Sequence, residues 1–192
     1  MKPYYLTTPI YYVNDKPHIG HAYTTLACDV LARFKRLDGY SVKFLTGTDE
    51  HGQKVQAAAE KAGVLPQEFT DTVSQNFRDL LVVMNFSNDQ FIRTTEPRHY
   101  KSCQAIWKRL MDKGFITLDK YEGWYSVRDE AFFTETELVD GKAPTGAPVS
   151  WVEEPSYFFN LSEWQQPLLN FYEANPDFIA PESRRKEVIS FV

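Results

Sequence analysis

The sequence has few cysteines, no long apolar run and no leading targeting segment. Only Cys28 and Cys103 occur, far apart and with no C-x-x-C spacing. A disulfide framework is therefore not expected, and a reducing cytoplasm suits the composition better. No apolar run approaches the roughly 18–20 residues of a membrane span, and Met1-Lys2-Pro3 leads directly into Tyr4. The sequence therefore predicts a cytoplasmic protein with no membrane partner and no targeting peptide.

An excess of positive charge is also missing. The net charge is −5; residues 1–100 carry 11 basic and 11 acidic side chains, whereas residues 101–192 carry 10 and 15. A nucleic-acid binder that relied on bulk charge would be basic. Any contact with nucleic acid must therefore come from local patches or from other parts of a larger protein.

Strands and helices alternate along the first 114 residues, which predicts an α/β fold with a parallel sheet and helical crossovers. The predicted strands are Tyr4 to Thr8, Ser41 to Leu45 and Phe91 to Arg93. The predicted helices are Gly20 to Asp38, Gln53 to Ala62, Pro66 to about Met84, and Pro97 to Lys113, with loops over Pro9 to Pro17 and Thr46 to Gly52.

The character of the sequence changes after Gly114. An aromatic, strand-like run is followed by an acidic segment rich in glycine and proline, and then by helical patterns from Ser162, a candidate N-cap, and from Glu182. We therefore divide the chain into residues 1–114, an inserted module over 115–160 and a helical continuation over 161–192.

The first candidate motif is Pro17-His18-Ile19-Gly20-His21, where a predicted strand and loop give way to a helix. Histidines three residues apart point the same way from a first helical turn. That turn exposes unpaired N–H groups and the positive end of the helix dipole, which suit phosphate. Gly20 would let a ligand approach the backbone. The alternative is two surface histidines at a helix start.

The second candidate motif is Thr46-Gly47-Thr48-Asp49-Glu50-His51-Gly52. Both motifs follow predicted parallel strands, and ligands of open α/β sheets bind at the carboxyl ends of the strands. The Asp49 carboxylate could bind a substrate ammonium group there. Taken alone, this motif is better explained by Asp49 or Thr48 capping the next helix.

Together the two motifs, which lie about 25 residues apart, closely resemble the start of bacterial methionyl-tRNA synthetases, which are class I aminoacyl-tRNA synthetases. The resemblance extends over essentially the whole chain, through Gly123-Trp124-Tyr125, Asp129-Glu130-Ala131-Phe132, Tyr157-Phe158-Phe159 and Pro181-Glu182-Ser183-Arg184-Arg185. It implies the first half of a Rossmann-type parallel sheet with an inserted connective-peptide module. It also implies ATP-dependent activation of L-methionine to methionyl-adenylate, followed by transfer to tRNA(Met).

The resemblance also implies residue roles. His18, Gly20 and His21 would contact ATP and stabilise the pentavalent phosphorus, with Asn14 and Lys16 near the nucleotide. Asp49 would hold the methionine ammonium group. The amino-acid pocket would be lined by Pro9, Ile10 and Tyr12, with Tyr12 closing over the side chain. Without the family, we would interpret Tyr11 and Tyr12 as core aromatics. Mg²⁺ would accompany ATP.

Two departures from the family qualify this interpretation. Many relatives carry paired zinc-binding cysteines in the inserted module, but Ser126 and Asp129 stand in place of the first pair, and Ala143 and Gly146 in place of the second. A structural zinc site usually needs four Cys or His ligands, so no structural zinc is expected. The lysine-rich K-M-S-K-S loop is absent as well. We therefore expect an amino-terminal part that needs the remaining C-terminal half and does not form methionyl-adenylate alone.

Two other functions remain open from the sequence. Small nucleotidyltransferases also use an H-x-G-H loop, although the long aromatic insert and the second motif argue against that class. A non-catalytic RNA-binding or assembly module is the other alternative, and the acidic second half argues against RNA binding by this segment alone.

Overall fold

The computed structural model describes all residues, Met1–Val192, as two compact units, Met1–Gln104 and Ala105–Val192. The elements of residues 1–112 are β1 (Pro3–Thr7), β2 (Tyr11–Tyr12), α1 (Ile19–Leu37), β3 (Ser41–Asp49), α2 (Gln53–Ala62), α3 (Pro66–Val83), β4 (Gln90–Arg93) and α4 (Pro97–Asp112). The predicted α/β fold is confirmed, since β1, β2 and β4 all pair with β3 in parallel.

Strand β3 is the centre of this parallel sheet. Its first half pairs with β1 and its last two residues pair with β2, while β4 pairs along Leu45 to Thr48. A Cβ atom at Gly47 would overlap the carbonyl oxygen of Ile92 on β4. Glycine at this position therefore lets β4 lie close against the end of β3.

The structure corrects two predicted loops. Tyr11 and Tyr12 form strand β2 within the segment predicted as loop from Pro9 to Pro17. Strand β3 continues through Thr46 to Asp49, which we predicted as loop. Both corrections have one cause. The end of β3 pairs with β2 and with β4, and these hydrogen bonds keep the backbone of both segments extended.

Local signals place the helix ends of the first unit. Helix α2 ends at Gly63 in the left-handed conformation, with φ of 72°, and α3 begins at Pro66, a favoured first helical residue. The core lies between the end of the sheet and these two helices. Its buried members are Tyr11, Val13, Val55, Val73 and Phe77.

Helix α1 has an unusual outer face. Thr25, Asp29 and Ala32 are buried, whereas a stripe of large apolar side chains along the helix is exposed: Ile19, Tyr23, Leu26, Val30, Phe34 and Leu37. Contiguous exposed apolar surface of this kind marks a contact site or an aggregation liability. No helix of the chain combines the length and the apolar character that a membrane crossing needs.

The second unit contains an antiparallel sheet in which β5 (Ile116–Ser126) lies between β6 (Ala131–Phe133) and β7 (Ser150–Phe159). A short 3-10 turn (Leu161–Trp164) precedes α5 (Gln165–Ala174), and α6 covers Glu182–Phe191. The prediction of Ser162 as N-cap is wrong. Pro167 has no N–H to donate, so it fits the first turn of a helix that begins at Gln165 but not the interior of one that begins at 163.

A hydrogen-bonded clasp joins the segments around Asp129 and Thr145. The Asp129 carboxylate accepts hydrogen bonds from Ser126 Oγ (2.9 Å) and Thr145 Oγ1 (2.6 Å). Arg128 Nη2 donates to the Thr145 carbonyl at 2.7 Å. The bond from the Thr145 hydroxyl is the main cause that lowers the pKa of Asp129. One carboxylate therefore joins the turn at Ser126 to the turn at Thr145, and the absence of zinc from this module stays a prediction.

We expect elemental analysis of the purified protein to find no stoichiometric zinc, and a chelator to leave its melting temperature unchanged. Asp129→Ala should lower the melting temperature because both hydroxyl bonds are lost, whereas Asp129→Asn, which keeps one acceptor oxygen, should lower it less. One zinc ion bound per chain would contradict this prediction.

Candidate functional site

The two candidate motifs lie at the carboxyl end of the parallel sheet of the first unit. Tyr12 and Asp49 are cross-strand partners at the ends of β2 and β3, and Tyr11 reaches Thr25 on α1 through its hydroxyl at 2.9 Å. Open α/β sheets bind their ligands at this edge. The chain thus brings the segment before α1 and the second motif to one side of the sheet.

His18 and His21 form a reciprocal capping box at the start of α1. His18 is the N-cap, and its Nδ1 accepts the Gly20 N–H at 3.1 Å. His21 Nδ1 accepts the His18 N–H, also at 3.1 Å. The rings stack with centroids 3.8 Å apart and an angle of 24° between their planes. Both therefore point the same way, as the three-residue spacing predicts.

This cap determines which ring nitrogens carry protons. A neutral imidazole has one N–H and one acceptor nitrogen. Because Nδ1 accepts a backbone N–H in both His18 and His21, the proton of each neutral ring lies on Nε2. The start of α1 therefore offers two side-chain N–H donors at the positive end of the helix dipole. The backbone N–H groups of Gly20, His21 and Ala22 are already bonded within this first turn.

Gly20 is also needed for the packing of the His18 ring. A Cβ atom at this position would lie 2.9 Å from Cε1 of His18 and 3.0 Å from its Nδ1. Such contacts are too close, so a larger residue would displace the His18 ring. The glycine between the histidines therefore makes room for their stacked arrangement.

The electrostatics of His21 favour its neutral form. Burial of the ring lowers the pKa of His21, and a positive charge on His18 would lower it further. An unfolded histidine has a pKa of about 6.5. At neutral pH the Nε2–H donor form of His21 is therefore the stable one.

We expect the protein to lose stability as the pH falls from 7 to 5, in part through His21. The unfolded state binds the proton near pH 6.5, whereas the folded state binds it at a lower pH. The stability is therefore complete above about pH 6.5 and is lost as the pH falls through the folded-state pKa. Melting temperatures across this range should fall less steeply for His21→Gln, which cannot titrate; equal slopes would contradict the prediction.

The two tyrosines of β2 face opposite ways. Tyr11 is 9% exposed and belongs to the core, whereas Tyr12 is 49% exposed. The core interpretation therefore holds for Tyr11 and fails for Tyr12, whose ring is available to a ligand. Pro9 and Ile10 are also exposed, directly before β2. All three predicted pocket residues thus lie on accessible surface at the end of the sheet.

Asp49 does not cap a helix. The N-cap of α2 is Gly52, with no side-chain capping bond, and Thr48 Oγ1 instead donates to Glu50 Oε1 at 2.6 Å. The helix-cap interpretation of Asp49 and Thr48 is therefore wrong. No hydrogen bond or ion pair within the chain engages the half-buried Asp49 carboxylate, which leaves it free for a cationic ligand group.

Asn14 and Lys16, the two residues predicted near the nucleotide, are exposed in the loop before α1. The Lys16 N–H donates to Asp15 Oδ1 at 2.6 Å. Both side chains lie in the connection between β2 and the histidine pair. Their predicted place near the nucleotide stays a prediction.

A buried ionic group beside Asp49 was missed by the sequence analysis. The Glu50 side chain is fully buried and accepts from Arg93 Nε (2.8 Å) and Thr95 Oγ1 (2.5 Å). Arg93 Nη2 lies 2.6 Å from Asp71 Oδ1 and forms a second ion pair. Period-two alternation at the end of β3 could have indicated that Asp49 and Glu50 face opposite sides. Glu50 anchors the strand end, and Asp49 stays accessible.

Comparisons with known proteins agree with this geometry. The family described as tRNA synthetases class I (M) matches residues 4–149. The chain is 67% identical over 190 residues to a methionine–tRNA ligase of Rickettsia conorii, covering 98% of this chain and 37% of the relative. It is 59% identical to that of Mesorhizobium japonicum, covering 98% of this chain and 38% of the relative.

A solved structure agrees as well. Methionyl-tRNA synthetase of Mycobacterium tuberculosis in complex with methionyl-adenylate superposes with a TM-score of 0.92 and 55% identity, covering 100% of this chain and 38% of that one. The chain thus spans less than two fifths of the length of these relatives. With a family match over most of its length, the chain belongs to the class I tRNA synthetase family described as (M).

Proposed function

We propose that this chain supplies the ATP- and methionine-binding elements of a cytoplasmic methionyl-tRNA synthetase, which activates L-methionine with ATP and transfers it to tRNA(Met). One observation carries the proposal: two Nε2–H donors at the start of α1 lie at the same sheet edge as the unpaired Asp49 carboxylate. A helix N-terminus with extra donors suits phosphate, and an unpaired carboxylate suits an ammonium group.

The proposed chemistry uses these groups in an adenylation step. A methionine carboxylate oxygen attacks the α-phosphorus of ATP, a P–O bond forms, and the bond to pyrophosphate breaks. Negative charge develops on the phosphoryl oxygens, where His18 and His21 donate hydrogen bonds. Asp49 orients methionine through its ammonium group. Positioning and charge stabilisation lower the barrier, with no covalent intermediate on the protein.

Mg²⁺ enters this proposal only as the counterion of ATP. No group of three or more His, Cys, Asp or Glu side chains in the chain could hold a metal ion. We therefore propose no side chain as a metal ligand, and the roles of His18, His21 and Asp49 stand without one.

The test is methionine-dependent ATP–pyrophosphate exchange. The protein assayed contains this chain and is as long as the relatives. We expect exchange to require both ATP and methionine. Leucine should support exchange at least about tenfold less well. A difference of one methylene group in an apolar pocket changes the binding free energy by about 1–3 kcal/mol. Exchange without an amino acid would favour the small nucleotidyltransferase. Binding of tRNA with no exchange at all would favour the non-catalytic module.

For the 192-residue chain alone, we expect self-association and no measurable exchange. The exposed stripe on α1, in which Ile19 is 87% and Leu37 is 89% exposed, favours association through apolar contact. Light scattering and the exchange assay on the same sample measure both properties. A monodisperse chain with robust exchange would contradict this prediction.

A further inference from the structure

His21 is enclosed by core side chains that the proposed chemistry does not use. Its ring centroid lies 4.8 Å from that of Tyr11 and 5.2 Å from that of Phe77, the latter in an edge-to-face arrangement. Tyr11 and Phe77 also stack on each other at 5.9 Å. Phe77, on α3, is only 2% exposed and Tyr11 is 9% exposed. Two rings from distant parts of the chain thus form one wall behind the histidine.

The backbone of His21 is held from the same direction. Thr25 Oγ1 donates to the His21 carbonyl at 2.9 Å, and the Tyr11 hydroxyl lies 2.9 Å from Thr25 Oγ1. Because the Thr25 proton is used on the carbonyl, its oxygen accepts the Tyr11 hydroxyl proton. A continuous chain of bonds therefore runs from β2 through α1 to His21.

We propose that Phe77, together with Tyr11, is a positioning residue for His21. The terminal torsion of a histidine side chain is broad and weakly restricted on its own. Contact with two buried rings restricts it, so that Nδ1 keeps the His18 N–H and Nε2–H stays aimed at the phosphate. This inference rests on the proposed function, since it gives Phe77 an effect on the rate only through His21.

A purely structural role for Phe77 is the competing explanation, because Phe77 belongs to the hydrophobic core of this unit. Val73 is a suitable control, since it lies one turn earlier on α3 and belongs to the same buried cluster. Loss of volume at either position weakens the core. Loss of the Phe77 ring also removes the edge-to-face contact with the His21 ring.

The experiment compares Phe77→Leu, Val73→Ala, His21→Gln and the double variant His21→Gln/Phe77→Leu in the full-length protein, well below their melting temperatures. Phe77→Leu should lower kcat of exchange about tenfold, since small misplacements of a catalytic group are costly, with KM for ATP and methionine changed less than about twofold. Val73→Ala should leave kcat nearly unchanged. In the His21→Gln background, Phe77→Leu should add less than about twofold.

The outcomes separate this inference from the proposed function. Equal losses of kcat in Phe77→Leu and Val73→Ala, or additive losses in the double variant, would overturn the positioning role. Full activity of His21→Gln would instead remove the catalytic role of His21, and exchange that does not depend on methionine would overturn the proposed function. If Phe77→Leu does not fold, nitrogen NMR of the His21 ring in the unchanged protein decides, because a proton on Nδ1 contradicts the geometry that the wall is proposed to hold.

Discussion

Alanine at His18 or at His21 is expected to lower the rate of ATP–pyrophosphate exchange by about 10²-fold or more, with a much smaller change in the affinity for ATP. The Nε2–H groups are proposed to act on charge that develops only in the transition state, and removing one such donor typically costs this much. Equal losses in rate and in ATP affinity would mean that both residues bind the ground state and the transition state equally well.

The capping box provides a control for this prediction, because both histidines also stabilise the start of α1. Asparagine is a favoured N-cap, and glutamine three residues later completes an ordinary capping box. His18→Asn should therefore retain the melting temperature and still lose exchange. His21→Gln should also lose exchange, with a smaller fall in melting temperature than His21→Ala. The alanine variants should lose exchange and also about 1 kcal/mol of stability. If His21→Gln kept the full exchange rate of the unchanged protein, helix capping would be the whole role of His21.

The helices of the first unit could be predicted from sequence because their ends carry local signals. Gly63 adopts a left-handed conformation that other residues disfavour, and Pro66 fits a first helical position. The three-residue spacing of His18 and His21 likewise predicted that both rings point the same way, and in the structure they stack. None of these features depends on a partner that is distant in the sequence.

The features that could not be predicted depend on partners far along the chain. A two-residue strand such as β2 shows no alternation, and it exists because β3 offers a free edge. The buried Glu50 pairs with Arg93, which lies 43 residues later. The opposite orientation of Tyr11 and Tyr12 follows from the same strand, so missing β2 also hid which tyrosine is core and which is available to a ligand.

Glu50 also shows why Asp49 suits a ligand. Two adjacent carboxylates would repel each other, and the structure neutralises only one of them, through Arg93. The buried pair and its threonine donors fix the end of β3 without using the Asp49 side chain. A charge that is half-buried and left without an internal partner is unfavourable, which is a physical reason to expect a cationic group to bind there.

Replacement of Asp49 by alanine is expected to raise KM for methionine by about 10- to 100-fold while leaving KM for ATP nearly unchanged. Hydrogen bonds to charged groups contribute about 1.5–3 kcal/mol, which at 1.4 kcal/mol for each factor of ten corresponds to this range. Asp49→Asn, which keeps the shape but loses the charge, should show most of the same effect.

Thermal melting of the same variants separates ligand binding from a structural role. Because Asp49 neither caps α2 nor bonds another side chain, Asp49→Ala should change the melting temperature little. Asp79→Ala is a matched control, since this exposed carboxylate on α3 only accepts a bond from Gln75 at 2.8 Å, and it should alter neither KM. Calorimetric titration with methionine then measures the loss directly. Unchanged methionine binding together with a clear fall in melting temperature would show that Asp49 serves the fold and leave the ammonium group of the substrate without a partner in this chain.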